Sequence, residues 1–419
     1  MPEELLYLTH RLPYPPNKGD KIRSFHLLSH LSRHYRVHLG TFVDDEADWR
    51  HVDTTKSFCG ESHFARLNPF AARLRSLSGL LTGQALTLPY YRNPGLQHWV
   101  NDLLANHPVK RVLVFSSAMA QYVRQADGMR RVIDFVDVDS DKWNQYAESK
   151  RWPLSWLYRR EGKLLRRYER EVAKEFDASL FVSREEAELF KQFAPESANK
   201  TGYFGNGVDT DYFSPEREYP NPYPEGEHPL VFTGAMDYWP NVDAVRWFAQ
   251  EIFPAVHAAF PRTRFCIVGS RPTAVVRELA RLPGVTVTGT VADIRPYLAH
   301  ARLAVAPLRM ARGLQNKVLE AMAMAKTVVA SPQAAEGIQA VQGHELHVAT
   351  NARGFGRKIL TLLAETTCDQ MGKAARARIL ADYDWDSSLA QVDALLAETP
   401  ATWASQETNR TTSLKEKQP

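Results

Sequence analysis

Short apolar runs of strand length recur along the whole chain, and longer segments with helical periodicity separate them. This alternation constrains the fold more than any other feature, because it is the pattern of parallel sheets covered by helices on both faces. In the first half the runs are residues 5–9, 37–42, 111–115, 131–135 and 178–182. In the second they are 230–234, 264–269, 285–289, 303–307 and 327–330. Residues 22–35 carry Phe25, Leu27, Leu28 and Leu31 on a helical face. Two such series in 419 residues exceed what one core accommodates and predict two α/β domains. We expect a first domain over 1–213, a Pro-rich linker over 214–229 and a second domain over 230–384. A final helix at 385–400 is expected to return to the first domain, and the aperiodic stretch 401–419 to be a disordered tail. Ligands are expected in a cleft between the domains, at the carboxyl ends of the strands.

Composition narrows the class. With 44% hydrophobic and 24% charged residues the chain reads as globular and water-soluble. A net charge of +4 does not demand nucleic acid as a partner, and none is expected. Cys59, Cys266 and Cys368 are far apart and odd in number, so neither a disulfide framework nor a metal-ligand spacing is present, and a reducing compartment is the economical reading. The start, Met1-Pro2-Glu3-Glu4-Leu5, is acidic and unlike a signal peptide. No apolar run reaches the ~18 residues of a membrane span. The expected location is cytoplasmic, with peripheral contact on the inner face of the membrane allowed.

The segment richest in chemistry is Gly313-Leu314-Gln315-Asn316-Lys317-Val318-Leu319-Glu320. It follows the apolar run at 303–307 and a basic turn holding Arg309 and Arg312, and it opens a predicted helix over 315–325. The first turn of a helix offers unpaired N–H groups and the positive end of the helix dipole, a ready anion site. Arg309, Arg312 and Lys317 would add charge suited to a diphosphate. Glu320 lies four residues after Asn316, on the same helix face, where a carboxylate can accept hydrogen bonds from two ribose hydroxyls. Taken alone, Glu320 could equally be a solvated helix residue and the basic turn ordinary surface.

The same segment carries a resemblance. With Glu320-Ala321-Met322-Ala323 and Val328-Val329, with Gly205-Asn206-Gly207-Val208-Asp209 followed by Phe213-Ser214-Pro215, and with Val231-Phe232-Thr233-Gly234, Ile267-Val268-Gly269 and Val287-Thr288-Gly289, the chain resembles the family-4 retaining glycosyltransferases of the GT-B fold. Within them it is similar to the sugar transferases found with PEP-CTERM/exosortase exopolysaccharide loci of bacteria. The motifs run in the family's order and span nearly the whole chain except the tail.

The resemblance implies two Rossmann-like domains facing an interdomain cleft, and transfer of a hexosyl group from a nucleotide sugar with retention of configuration. It implies a UDP-sugar donor, or second a GDP-sugar, and a glycan or polyprenyl-linked acceptor in exopolysaccharide synthesis. It implies no metal and no cofactor. Donor-binding candidates are Gly19, Gly234, Arg309, Asn316, Lys317 and Glu320; Lys317 and Arg312 are the catalytic candidates, at the leaving diphosphate. The chain departs from the family at three places. Arg312 stands where relatives carry a sugar-binding glutamate, Ala325 and Thr327 replace a glycine and a proline, and Met236-Asp237-Tyr238-Trp239-Pro240-Asn241 replaces an arginine–lysine pair. Two rivals remain open: a GT-B sugar-nucleotide 2-epimerase, and an inactive nucleotide-sugar-binding protein.

In the first half, Gly19 lies between strand and helix, where a glycine lets backbone approach a ligand, although an ordinary turn and cap reads equally well. Lys18, Asp20 and Arg23 are candidates for sugar or acceptor contact. Asp134, Asp137 and Asp139 follow a strand; three aspartates suggest a metal, but for Asp137 and Asp139 acceptor-hydroxyl binding or helix capping is preferred. His10 reads as structural. Residues 150–170 hold eight basic side chains (Lys150, Arg151, Arg159, Arg160, Lys163, Arg166, Arg167 and Arg170) interleaved with Trp152, Trp156 and Tyr158. Such a helix can lie on an anionic membrane, and residues 70–77 could join it; a core-packed helix with a solvated basic face explains the pattern as well.

Overall fold

The computed structural model describes residues 2–16, 19–124, 128–148, 150–311, 313–364, 368–383 and 385–397. It divides into two compact units, one of Met1–Gly205 with the chain from Ser388 on, the other of Asn206–Ser387.

The first unit is built on a seven-stranded parallel sheet. Its strands are β1 (Glu4–Thr9), β2 (Arg36–Val43), β3 (Ser62–Arg66), β4 (Val109–Phe115), β5 (Arg130–Val136), β6 (Ala178–Phe181) and β7 (Thr201–Tyr203), in the order β3-β2-β1-β4-β5-β6-β7. The central strands are buried almost end to end, which is why they read as continuous apolar runs. The core between sheet and helices includes Leu6, Phe42, Val112, Ile133, Leu165 and Phe181. It also encloses an ion pair. Arg23, on helix Gly19–His34, donates from Nε to Asp134 Oδ2 at 2.7 Å and from Nη1 to the Phe204 carbonyl at 2.9 Å, with its guanidinium 3.5 Å from the centre of the Phe204 ring. Both charged side chains are fully buried. Arg23 therefore faces the core rather than a sugar or acceptor, as the sequence had suggested, because Asp134 compensates its charge there.

The second unit has a six-stranded parallel sheet of β8 (His228–Thr233), β9 (Thr263–Val268), β10 (Val285–Gly289), β11 (Leu303–Ala306), β12 (Val328–Ala330) and β13 (His347–Val348), ordered β10-β9-β8-β11-β12-β13. Phe232, Phe248, Ile267, Val305, Met322 and Val329 lie in its core. In each sheet the strand order reverses once, beside β1 and β4 in the first and beside β8 and β11 in the second. Helices leave the sheet in opposite directions at such points, so the carboxyl ends of those strands frame a crevice.

The boundary falls earlier than composition suggested. Val208 N donates to the Tyr383 carbonyl at 2.9 Å, so the chain joins the second unit before residue 213. The Pro-rich stretch 214–229 is part of that unit and not a free linker: Tyr219 and Tyr223 pack on its core, and Tyr223 Oη donates to the Tyr297 carbonyl at 2.8 Å. At the other end, helix Trp385–Leu396 supplies contacts to the first unit. Arg111 Nε donates to the Leu396 carbonyl at 2.8 Å, and His30 Nε2 lies 2.6 Å from Asp393 Oδ2. The stretch 401–419, expected as a tail, lies outside the described residues.

Candidate functional site

At the switch point of the second sheet, Gly234 directly follows β8, and Arg309 lies between β11 and helix Asn316–Ala323. Gly234 has φ +152°, and a Cβ there would meet Asn241 Nδ2 at 2.8 Å and Lys317 Nζ at 3.3 Å. Gly269, at the end of β9, has φ +156° and would place a Cβ 1.7 Å from the Gly234 carbonyl oxygen. Two glycines thus let the strand ends come together tightly enough for the helix start to sit against them.

Lys317 is the centre of this arrangement. Its ammonium donates to Asn241 Oδ1 and lies 4.4 Å from the centre of the Phe232 ring. Burial pulls it down to about 7, an effect the Glu320 carboxylate partly offsets. Glu320 follows one turn later; burial pushes its carboxyl up to about 7, partly offset by Lys317. Asn316 Oδ1 accepts from Asn206 Nδ2 at 3.4 Å, so the Asn206-Gly207 motif meets the helix start. Gly207 is required there, because a Cβ would fall 2.7 Å from the Trp385 ring. The side chain of Gln315, at the N-cap, makes no capping bond and donates instead to the Gly313 carbonyl. The helix start therefore combines a first turn without a side-chain cap, a half-buried ammonium and, one turn on, a half-buried carboxyl. An anion is favoured at the first two and hydroxyl donors at the third.

Gly234, Asn316, Lys317 and Glu320 thus lie together between the end of β8 and the start of this helix. Arg309 is not available in the same way. Its guanidinium forms a two-pronged ion pair with Asp243 and lies 5.5 Å from the Trp247 ring centre, and its pKa is raised by the hydrogen bonds to Asp243. Arg312 lies outside the described residues, as does Lys18. Sequence reasoning missed Asn241 as the partner of Lys317 and Asp243 as the partner of Arg309. Both sit on helix Trp239–Trp247, in and just after the stretch that departs from the family pattern. A Pro at the second helical position marked that helix, but nothing local marked which residues it turns toward the glycines.

The remaining candidates lie in the first unit. Gly19 begins helix Gly19–His34, and a Cβ there would meet nothing within 4 Å, so space does not require glycine. Asp137 and Asp139 both face Lys142 Nζ, Asp139 at 3.3 Å. Burial works against the Lys142 charge, yet the two carboxylates hold its pKa well above the usual lysine range. With Asp134 committed to Arg23, the three aspartates are satisfied by cations of the chain and do not converge as a metal-ligand set. The switch point of the first sheet holds His10, expected to be structural, and Asp20, a candidate for sugar or acceptor contact. His10 stacks on Phe115 at 5.7 Å and lies 3.5 Å from Asp20, while Arg11 bridges Asp20 and Asp44. His10 Nδ1 is buried with no hydrogen-bond partner among the described residues. Its position directly after β1 was the available signal.

Residues 227–365 match the family described as Glycosyl transferases group 1. No curated protein matches the chain. Among solved structures, the chain is similar to the sucrose-phosphate synthase of Thermosynechococcus elongatus, with TM-score 0.68 and 16% identity over 94% of this chain and 98% of that one. It is similar also to a glycosyltransferase from Rickettsia africae, with TM-score 0.65 and 14% identity over 95% and 100%. A third is the Anabaena protein HepE, solved in complex with UDP, with TM-score 0.65 and 14% identity over 94% and 100%. The fold is GT-B: two parallel-sheet α/β units, the second of which carries the group 1 glycosyl transferase match.

Proposed function

We propose that the chain is a glycosyltransferase whose donor, a nucleotide sugar, binds at the start of helix Asn316–Ala323. The observation that carries this reading is the meeting of Gly234, Asn241, Lys317 and Glu320 at the switch point of the second sheet. A diphosphate would lie against the helix start and Lys317, and Glu320 would accept hydrogen bonds from the ribose hydroxyls. UDP is the preferred nucleotide, and the UDP and UDP-glucose complexes of HepE support it; GDP is second. In a retaining transfer the bond from the sugar C1 to the diphosphate oxygen breaks while the acceptor oxygen bonds to C1 on the same face. The acceptor proton passes to the leaving diphosphate, so the chain need supply no base. Lys317 would stabilise the charge growing on that leaving group, and Arg312 is the second proposed catalytic residue. Gly19 remains a proposed donor contact and Asp137 and Asp139 proposed acceptor contacts. We place the reaction in exopolysaccharide synthesis, with a hexosyl group moved to a glycan or polyprenyl-linked acceptor and no metal required.

The test is incubation of the full chain with a panel of UDP- and GDP-sugars, first without acceptor and then with candidate acceptors. Slow release of nucleoside diphosphate, accelerated by an acceptor and giving a product of unchanged anomeric configuration, is expected. Conversion of the donor to its 2-epimer would assign the epimerase instead. Tight binding with no turnover under any acceptor would assign a binding protein.

A further inference from the structure

Helix Pro69–Ser76 and the short helix Ser78–Thr82 that follows it are built the wrong way round for a soluble protein. Their small residues Ala72, Ser76 and Gly79 face the protein, while Phe70, Leu74, Leu77 and Leu81 face outward at helical spacing. Phe70 is 70% exposed and Leu81 92%. The inward positions leave no room for larger groups: a Cβ at Gly79 would lie 3.1 Å from both the Gln84 carbonyl and the Leu86 side chain. The outward apolar stripe of Phe70, Leu74, Leu77 and Leu81 therefore meets water.

A second apolar edge adjoins it. Trp152 is 81% exposed and Trp156 55%, with Leu154 between them, at the start of helix Leu154–Glu175. Arg160, one turn beyond Trp156, donates to the Gly79 carbonyl at 2.7 Å and to the Gln84 carbonyl at 3.2 Å. Glu161 accepts from the Leu86 and Thr87 N–H groups at 2.6 and 2.9 Å. These bonds hold the tryptophan end of the long helix against the chain from Gly79 to Thr87, so the two edges form one surface of the first unit. The two stretches that form it carry charge of a single sign. Residues 67–87 and 150–160 contain Arg73, Arg75, Lys150, Arg151, Arg159 and Arg160 and no aspartate or glutamate.

We propose that this surface seats the first unit on an anionic lipid bilayer, with Phe70, Leu74, Leu77, Leu81, Trp152 and Trp156 in the interfacial region and the surrounding arginines and lysines at the headgroups. Contiguous exposed aliphatic and tryptophan side chains ringed by basic residues match the chemistry of that boundary, apolar on one side and negatively charged on the other. A protein partner would need an acidic rim around an apolar centre to match it, and a second copy of the chain would bring like charges together. No helix among the described residues is long and apolar enough to cross a membrane, so the contact is peripheral. The inference is independent of the donor reading, since none of its residues belongs to that site.

Flotation of the full chain with vesicles of phosphatidylcholine, with and without phosphatidylglycerol, tests it. Binding is expected only with the anionic lipid, together with a blue shift of tryptophan emission, and should weaken as salt rises. Leu81→Asp and Arg159→Glu are each expected to weaken binding about tenfold or more with melting temperature unchanged, because both side chains are exposed. Absence of binding by the folded protein would overturn the proposal, as would binding that both variants retain. A dimer in solution abolished by Leu81→Asp, with no vesicle binding, would overturn it in favour of a self-association surface.

Discussion

At the scale of single residues, the site turns on Lys317 and Glu320. Burial pulls the Lys317 ammonium down to about 7, so binding of a diphosphate at higher pH is coupled to uptake of a proton from solution. Glu320 is ionised only above about pH 7, and below that it is a poorer acceptor for hydroxyls. UDP affinity is therefore expected to peak near neutrality and to fall on both sides, by at most about tenfold per pH unit. Calorimetric titrations across that range check this. In Lys317→Arg the guanidinium stays protonated, so the alkaline fall should vanish while the acid one remains. The sequence made Lys317 and Glu320 visible because a helix-opening basic residue and a carboxylate on one face are a local pattern. It did not reveal that Asp243 holds Arg309, because that pairing joins residues on two different elements and depends on where helix Trp239–Trp247 lies.

Elements show the same division between local and distant causes. The central strands were legible because burial on both faces forces them to be apolar. Strands β3, β7 and β13 were not: each lies at an end of its sheet, pairs on one side only and is short, and β3 is a polar Ser-His-Phe-Ala-Arg run. Helix Asn316–Ala323 stops short of the expected 325 because Ala325 adopts φ +53°. A residue with a Cβ is strained in that conformation. Ala325→Gly is therefore expected to raise stability by about 0.5–1 kcal/mol, read as a higher melting temperature.

A further element-scale effect comes from Glu169 on helix Leu154–Glu175. It is buried and accepts from the Ser140 N–H at 3.2 Å, at the start of helix Asp139–Glu148. Burial pushes its carboxyl from 4.5 up to about 8, with the charge of Asp139 acting in the same direction. The folded state then holds a proton that the unfolded chain has released, so this group's contribution is full below pH 4.5 and is lost as pH rises toward about 8. Glu169→Gln should keep the acceptor for Ser140 and flatten that part of the stability–pH profile, measured by denaturant unfolding.

For the whole molecule, two units with separate cores predict that stability and ligand binding can be addressed separately. Arg23→Met leaves Asp134 buried without its cation and should cost the first unit about 3–5 kcal/mol, lowering its transition in scanning calorimetry. UDP should raise the transition of the second unit instead, since binding stabilises only the structure that holds the site. The two-domain architecture was legible from the repeated alternation. The crossover at Gly205 was not, because the Pro-rich stretch 214–229 has the composition of a linker, yet its tyrosines pack on the second core.

The most direct test of the donor site is a calorimetric titration of UDP into the full chain and into Lys317→Ala and Glu320→Ala. The unaltered chain is expected to bind UDP, and each substitution to weaken binding about tenfold or more, with the first unit's melting transition unmoved. Equal affinity in all three proteins, or no UDP or GDP binding by the folded chain, would contradict it.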